Sequence, residues 1–91
     1  MAMWARQPND DALIERHVAQ DLIAPDRARL TDSGDPIWAL VAYPRAANDD
    51  LAATASEYDI SDEAMAAALA YYERHRAVFD ARILLHHAAF A

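Results

Sequence analysis

The side chains best suited to bind a metal or to move a proton near neutral pH are the histidines His17, His75, His86 and His87. A helical zinc site needs two ligands three or four residues apart and a third from elsewhere. His86 and His87 are adjacent and point to different faces of a helix, and His75 stands about three turns before His86. This spacing gives no metal site, and His75 is expected to hydrogen-bond within the fold, near Tyr71 or Tyr72. Acid pairs occur at Asp10-Asp11, Asp49-Asp50 and Asp62-Glu63, each at an expected helix start. There a carboxylate meets unpaired N–H groups and the positive end of the helix dipole, so capping accounts for all three. Ser33, Ser56 and Ser61 lack the surroundings of a nucleophile elbow. A single glycine, Gly34, is too few for a phosphate-binding loop. The residues therefore point to no enzyme, no metal and no cofactor.

Charge narrows the partners. Fifteen acids against 8 arginines, with no lysine, give a net charge of −7. A nucleic-acid binder usually carries a basic stripe that displaces counterions from phosphate, and none is visible. Arg27, Arg29 and Arg45 are the arginines left for weak phosphate contacts. The acidity suits a basic protein partner or plain solubility. With no cysteine, disulfides, thiolate chemistry and cysteine-ligated zinc are excluded. No apolar run approaches the ~18 residues of a membrane span, and residues 1–10 hold no apolar signal core. A cytoplasmic chain with no membrane partner is expected.

The elements read from the sequence are helices. One glycine, four prolines, abundant alanine and few valines disfavour a sheet protein. The expected class is all-α, a small helical domain with a helix-turn-helix-like core and a long C-terminal helix. At most one short β element is expected, near residues 28–31. The chain reads as one domain over 1–91, with a loose start over 1–8, where Trp4 can dock. A helix follows over 10–23, whose face carries Leu13, Ile14, His17, Val18, Asp21 and Leu22 and which ends at Pro25. Ala28–Thr31 reads as a strand needing a partner from this chain or a second copy, and Asp32-Ser33-Gly34-Asp35 as a turn. A region over 36–83 opens at Asp35-Pro36, with Ile37, Trp38, Leu40, Val41 and Tyr43 apolar nearly all round. Pro44 is expected to end or kink that helix near Tyr43. Asn48, Asp49 and Asp50 offer caps for a short helix carrying Leu51, Ala52, Ala55 and Tyr58. Asp59-Ile60 reads as a turn and Ser61 as the cap of one long helix reaching a tail over 84–91.

Along that last helix Met65, Leu69, Tyr72, Arg76, Phe79, Ile83, His86 and Phe90 alternate at four and three residues, like a coiled-coil seam. Leu51–Leu69 fits a helix-turn-helix, with Ala55 at the crossing, Asp59 in the turn, and Ile60, Met65 and Ala68 on core positions. A DNA-reading second helix presents polar and basic residues at its start. Here Ser61, Asp62, Glu63, Ala66 and Ala67 are expected there, and carboxylates repel phosphate.

The residues Pro36-Ile37-Trp38-Ala39-Leu40-Val41, Ala55-Ser56-Glu57-Tyr58, Ile60-Ser61, Ala66–Tyr72, His75-Arg76 and Asp80–Ile83 together resemble a bacterial family, Domain of Unknown Function 433. Its members are often described as antitoxins similar to the Vap B type. The resemblance spans Asp35–Ile83, and the Ala-Leu-Ala-Tyr-Tyr segment followed by His-Arg is its most specific part. It implies a helix-turn-helix-like dimer preceded by a short β element, and pairing with a ribonuclease-like toxin in some members. The chain departs from the family in the acidic segment Leu30–Asp35, where a glycine-rich basic one is usual, and at Pro44.

The expected function is a non-enzymatic, antitoxin-like interaction module that forms a homodimer and neutralises a basic, nuclease-like toxin. The alternative is a degenerate helix-turn-helix DNA-binding regulator, but nucleic-acid binding is expected to be weak or absent. The dimer or partner interface is expected at Trp38, Tyr72, Phe79, Ile83, Leu84 and Phe90. The other place for the C-terminal helix is against Leu13, Val18 and Leu22 of the first helix.

Overall fold

In the computed structural model, which describes residues 10–46 and 51–89, the first helix, α1 (Asp10–His17), stops well short of Pro25. Thr31 ends it: its N–H donates to the His17 carbonyl at 2.9 Å, and its hydroxyl lies 3.3 Å from the same oxygen. Val18, β-branched and suited to extended backbone, then opens a two-residue strand, β1 (Val18–Ala19). It pairs antiparallel with β2 (Arg29–Leu30), placing Val18 opposite Leu30. Both side chains are buried. The single β element expected near 28–31 is thus half of a ladder whose partner comes from this chain, and the helix expected over 10–23 is divided by it. Leu22, placed on that helix's apolar face, stands 88% exposed in the following loop.

From Pro25 the chain makes one 3₁₀ turn (Pro25–Arg27), then β2, then the expected turn at 32–35. Gly34 sits at φ +75°, in the left-handed region that a Cβ disfavours. Its N–H returns to the Leu30 carbonyl at 3.0 Å, and Leu30 N–H donates to Asp35 at 2.9 Å. Helix α2 (Ile37–Ala46) follows, with Ile37, Leu40 and Val41 buried. Its backbone runs through Pro44 rather than ending near Tyr43. Proline's fixed φ is compatible with helix, while the ring removes the N–H that would reach the Leu40 carbonyl and crowds that oxygen.

Helix α3 (Leu51–Glu57) ends in a left-handed cap. Asp59 takes φ +56°; Ile60 N–H donates to the Ala55 carbonyl at 2.9 Å and Asp59 N–H to Ser56 at 3.1 Å. This is the double hydrogen bond of a Schellman motif, with aspartate where glycine is usual. Ser61 then caps α4 (Asp62–Arg74), its Oγ accepting from Ala64 N–H at 3.0 Å. Helix α4 is the centre of the fold: it packs most extensively on α1 and also meets α2, α3 and β1. Met65, Ala67, Ala68, Tyr71 and Tyr72 are buried along it.

The long helix expected from Ser61 breaks at His75, whose φ −128° and ψ 36° leave the helical region. Helix α5 (Arg76–Ala89) then folds back over α2 and the 3₁₀ turn. The described residues are predominantly helical, with one two-stranded antiparallel ladder. No helix among them is long and apolar enough to cross a membrane. The loose start over 1–8 with Trp4 and the caps at 48–50 lie outside the described residues.

Candidate functional site

The residues expected to form a seam with a partner are divided by the break at His75. Tyr72, Phe79 and Ile83 are buried inside the chain, with Phe79 at 0% exposure. They are core, and the expectation that they face a second chain is corrected accordingly. The cause is aromatic packing around the break. Phe79 meets Tyr71 and Tyr72 edge-on, with ring centroids 6.0 Å away in each case, and His75 lies 4.7 Å from the Tyr71 ring. Tyr71 and Tyr72, about 100° apart around the helix, both turn into this cluster. Trp38 is half-buried beneath α5, with the Arg82 guanidinium 5.3 Å from its ring and His86 at 4.6 Å. The C-terminal helix therefore packs in cis, on α2 rather than on the face of Leu13 and Val18 as weighed from the sequence. Phe90 lies outside the described residues.

What α5 turns outward is a second apolar stripe. Val78, Ala81 and Leu85 follow one another at three and four residues on the exposed side, with Ala77 and Leu84 beside them. Leu84 and Leu85 are each 70% exposed. The loop before the 3₁₀ turn exposes two further aliphatic side chains, Leu22 and Ile23, the latter 96% exposed. That loop is fixed against α4 and α5. Asp21 Oδ1 accepts from Ile23 N–H at 3.0 Å and Ala24 N–H at 2.8 Å, and the Tyr71 hydroxyl lies 3.5 Å from the Asp21 carbonyl. Asp26 pairs with Arg82 at 3.1 Å. Of this surface the sequence marked Leu84 as interface, with Leu85 beside it widening the apolar face of the C-terminal arm. Ile23 was not singled out at all, and Leu22 was assigned to a core face. The signal available was the adjacency of Leu84 and Leu85 to a seam that has room for only one face of the helix.

The helix-turn-helix face is acidic. Asp62 and Glu63 are exposed at the start of α4, and Glu63 takes the Arg16 guanidinium at 3.1 Å. Ala67, expected on the exposed start, is fully buried, because α1 lies against that side of α4. Arginine charge is largely satisfied internally: Arg16, Arg74, Arg76 and Arg82 meet Glu63, Asp11, Glu73 and Asp26. Arg27 and Arg29 are exposed around β2, and Arg29 donates to the Gly34 carbonyl at 2.9 Å. The side chain of Arg45 lies outside the described residues. Among the described residues no group of three metal-ligating side chains converges.

Set against protein-family models, curated proteins and solved structures, the chain matches none of them.

Proposed function

We propose that this chain is a non-enzymatic protein-interaction module. It pairs with a second copy of itself through the outer stripe of α5 and the Leu22-Ile23 loop, and its acidic remainder docks a basic protein. The observation that carries the reading is the exposure of four large aliphatic side chains, Leu22, Ile23, Leu84 and Leu85, on one small acidic protein. Burying four such groups favours association by on the order of 6 kcal/mol before the entropy cost of pairing. Exposed large apolar side chains mark interaction sites when an association joins them into one patch, and a self-complementary patch closes as a two-fold dimer. The antitoxin-like role, with a basic nuclease-like toxin as partner, is supported by the resemblance to Domain of Unknown Function 433 and by the net charge of −7.

Paired substitutions Leu84→Glu and Leu85→Glu test the surface. Both side chains are exposed, so the variant keeps its helical circular dichroism and its melting while its elution shifts to that of a monomer. Unchanged elution of a dimeric species contradicts the assignment of this stripe.

A further inference from the structure

We propose that the pocket between the end of α1, the turn after β2 and the start of α4 receives one arginine side chain of a basic protein partner. This rests on the reading that the chain docks a basic protein, and it specifies where and how. The pocket measures about 210 Å³. That is several times the ~30 Å³ share of a water molecule and below the ~300–1,000 Å³ of sites for whole small molecules. It suits a side chain. It is lined by the apolar Leu30, Ile60 and Ala64 and by the exposed Asp32 and Asp59.

Two features select the occupant. Asp11, Asp26, Glu63 and Glu73 each meet an arginine of this chain, whereas among the described residues the side chains of Asp32 and Asp59 meet none. Both line the same pocket as Leu30, Ile60 and Ala64. A guanidinium on a flexible methylene stem is complementary to that arrangement. The stem lies on Leu30, Ile60 and Ala64, and the planar fork donates to carboxylates on either side. His17 also lines the pocket. Its Nε2 lies 3.3 Å from Glu63 Oε1, so the ring faces a carboxylate of α4. Phosphate is repelled by the carboxylates of Asp32 and Asp59, and Ser61 Oγ is already committed to Ala64 N–H.

The test is a proton–nitrogen correlation titration of the full chain with N-acetyl-arginine-N-methylamide, with the citrulline analogue as neutral isostere. The expected result is saturable shifts over 30–33 and 59–64, half-complete on the order of millimolar. Citrulline should bind about fivefold more weakly, as two part-exposed ion pairs allow. The double variant Asp32→Asn with Asp59→Asn should weaken the response to arginine by a similar factor while keeping the fold, since asparagine tolerates the left-handed backbone at 59. Equal response to citrulline, an unchanged response in the double variant, or shifts spread over Glu15, Glu57 and Asp62 overturns the proposal. So does the same set of shifts evoked by magnesium ion, which makes the site a general cation site, or by raising the protein concentration alone, which assigns it to arginines of a second copy. A negative titration leaves the self-association reading intact, since that stands on the α5 stripe and is read by molecular mass.

Discussion

The Tyr72 hydroxyl donates a 2.7 Å hydrogen bond to Asp80 Oδ1 across the break between α4 and α5. Beside it Arg76 lies 5.5 Å over the Tyr72 ring and pairs with Glu73. The interaction links the last turns of one helix to the first turns of the next and sets the direction in which α5 folds back. A hydrogen bond to a charged acceptor contributes ~1.5–3 kcal/mol. Tyr72→Phe is expected to lower stability by about 1–2 kcal/mol in urea denaturation, with the ring packing retained. A variant as stable as the parent contradicts the role given to this contact.

Truncation after Asp80 is the second prediction. It deletes Ile83 from the core, the Arg82–Asp26 pair and the His86 ring over Trp38. Losing one buried aliphatic side chain costs ~2–5 kcal/mol, against a total stability of about 5–15 kcal/mol for a natural domain. The shortened chain is expected to lose cooperative thermal unfolding followed by circular dichroism. Cooperative melting within a few degrees of the full chain contradicts the packing of α5 in cis.

Local signals in the sequence predicted local structure well. Ser61 caps α4, Asp59 turns the chain at positive φ, Gly34 turns it after β2, and Met65 and Ala68 fall on the core side of α4. Tertiary contacts overrode the same kind of reasoning elsewhere. The periodicity from Leu13 to Leu22 continues through a helix that Thr31 and the Val18–Leu30 pair bring to an end. No proline or glycine marks His75, because the break there is held by Tyr71, Tyr72 and Phe79 meeting in space. The four-three seam is divided at His75: Met65 and Tyr72 are core on α4, folding α5 back turned Phe79 and Ile83 into core, and Leu84 and Leu85 were left outside. Nor did anything in residue spacing bring Asp32 and Asp59 to one pocket; that follows from how the β2 turn meets the start of α4.

Alkaline pH should act through Tyr71. Burial raises its hydroxyl pKa above the ordinary 10.0 and the charge of Asp21 pushes the same way, while the hydrogen bond to the Asp21 backbone opposes them. The folded state thus prefers the neutral phenol. That stabilising contribution is fully present below about pH 10, the unfolded value, and is lost as pH rises through the higher folded value. Denaturation midpoints should fall above pH 10, and Tyr71→Phe should fall less steeply over the same range. Parallel alkaline profiles contradict this.

Duplex DNA should bind weakly. The net charge is −7, Asp62 and Glu63 stand at the start of α4, and four described arginines are held in ion pairs. Dissociation constants for random duplex at or above ~10⁻⁵ M in physiological salt are expected. A mobility shift at nanomolar protein overturns the reading and favours a DNA-binding regulator.

The central claim is that this chain presents Leu22, Ile23, Leu84 and Leu85 to a second copy. Sedimentation equilibrium of the unaltered chain from about 1 to about 100 µM tests it most directly, since this range brackets a micromolar dissociation constant. The weight-average mass is predicted to rise with concentration from one chain toward two and to level there, as a closed two-fold pair requires. A mass that stays at one chain throughout the range contradicts the account.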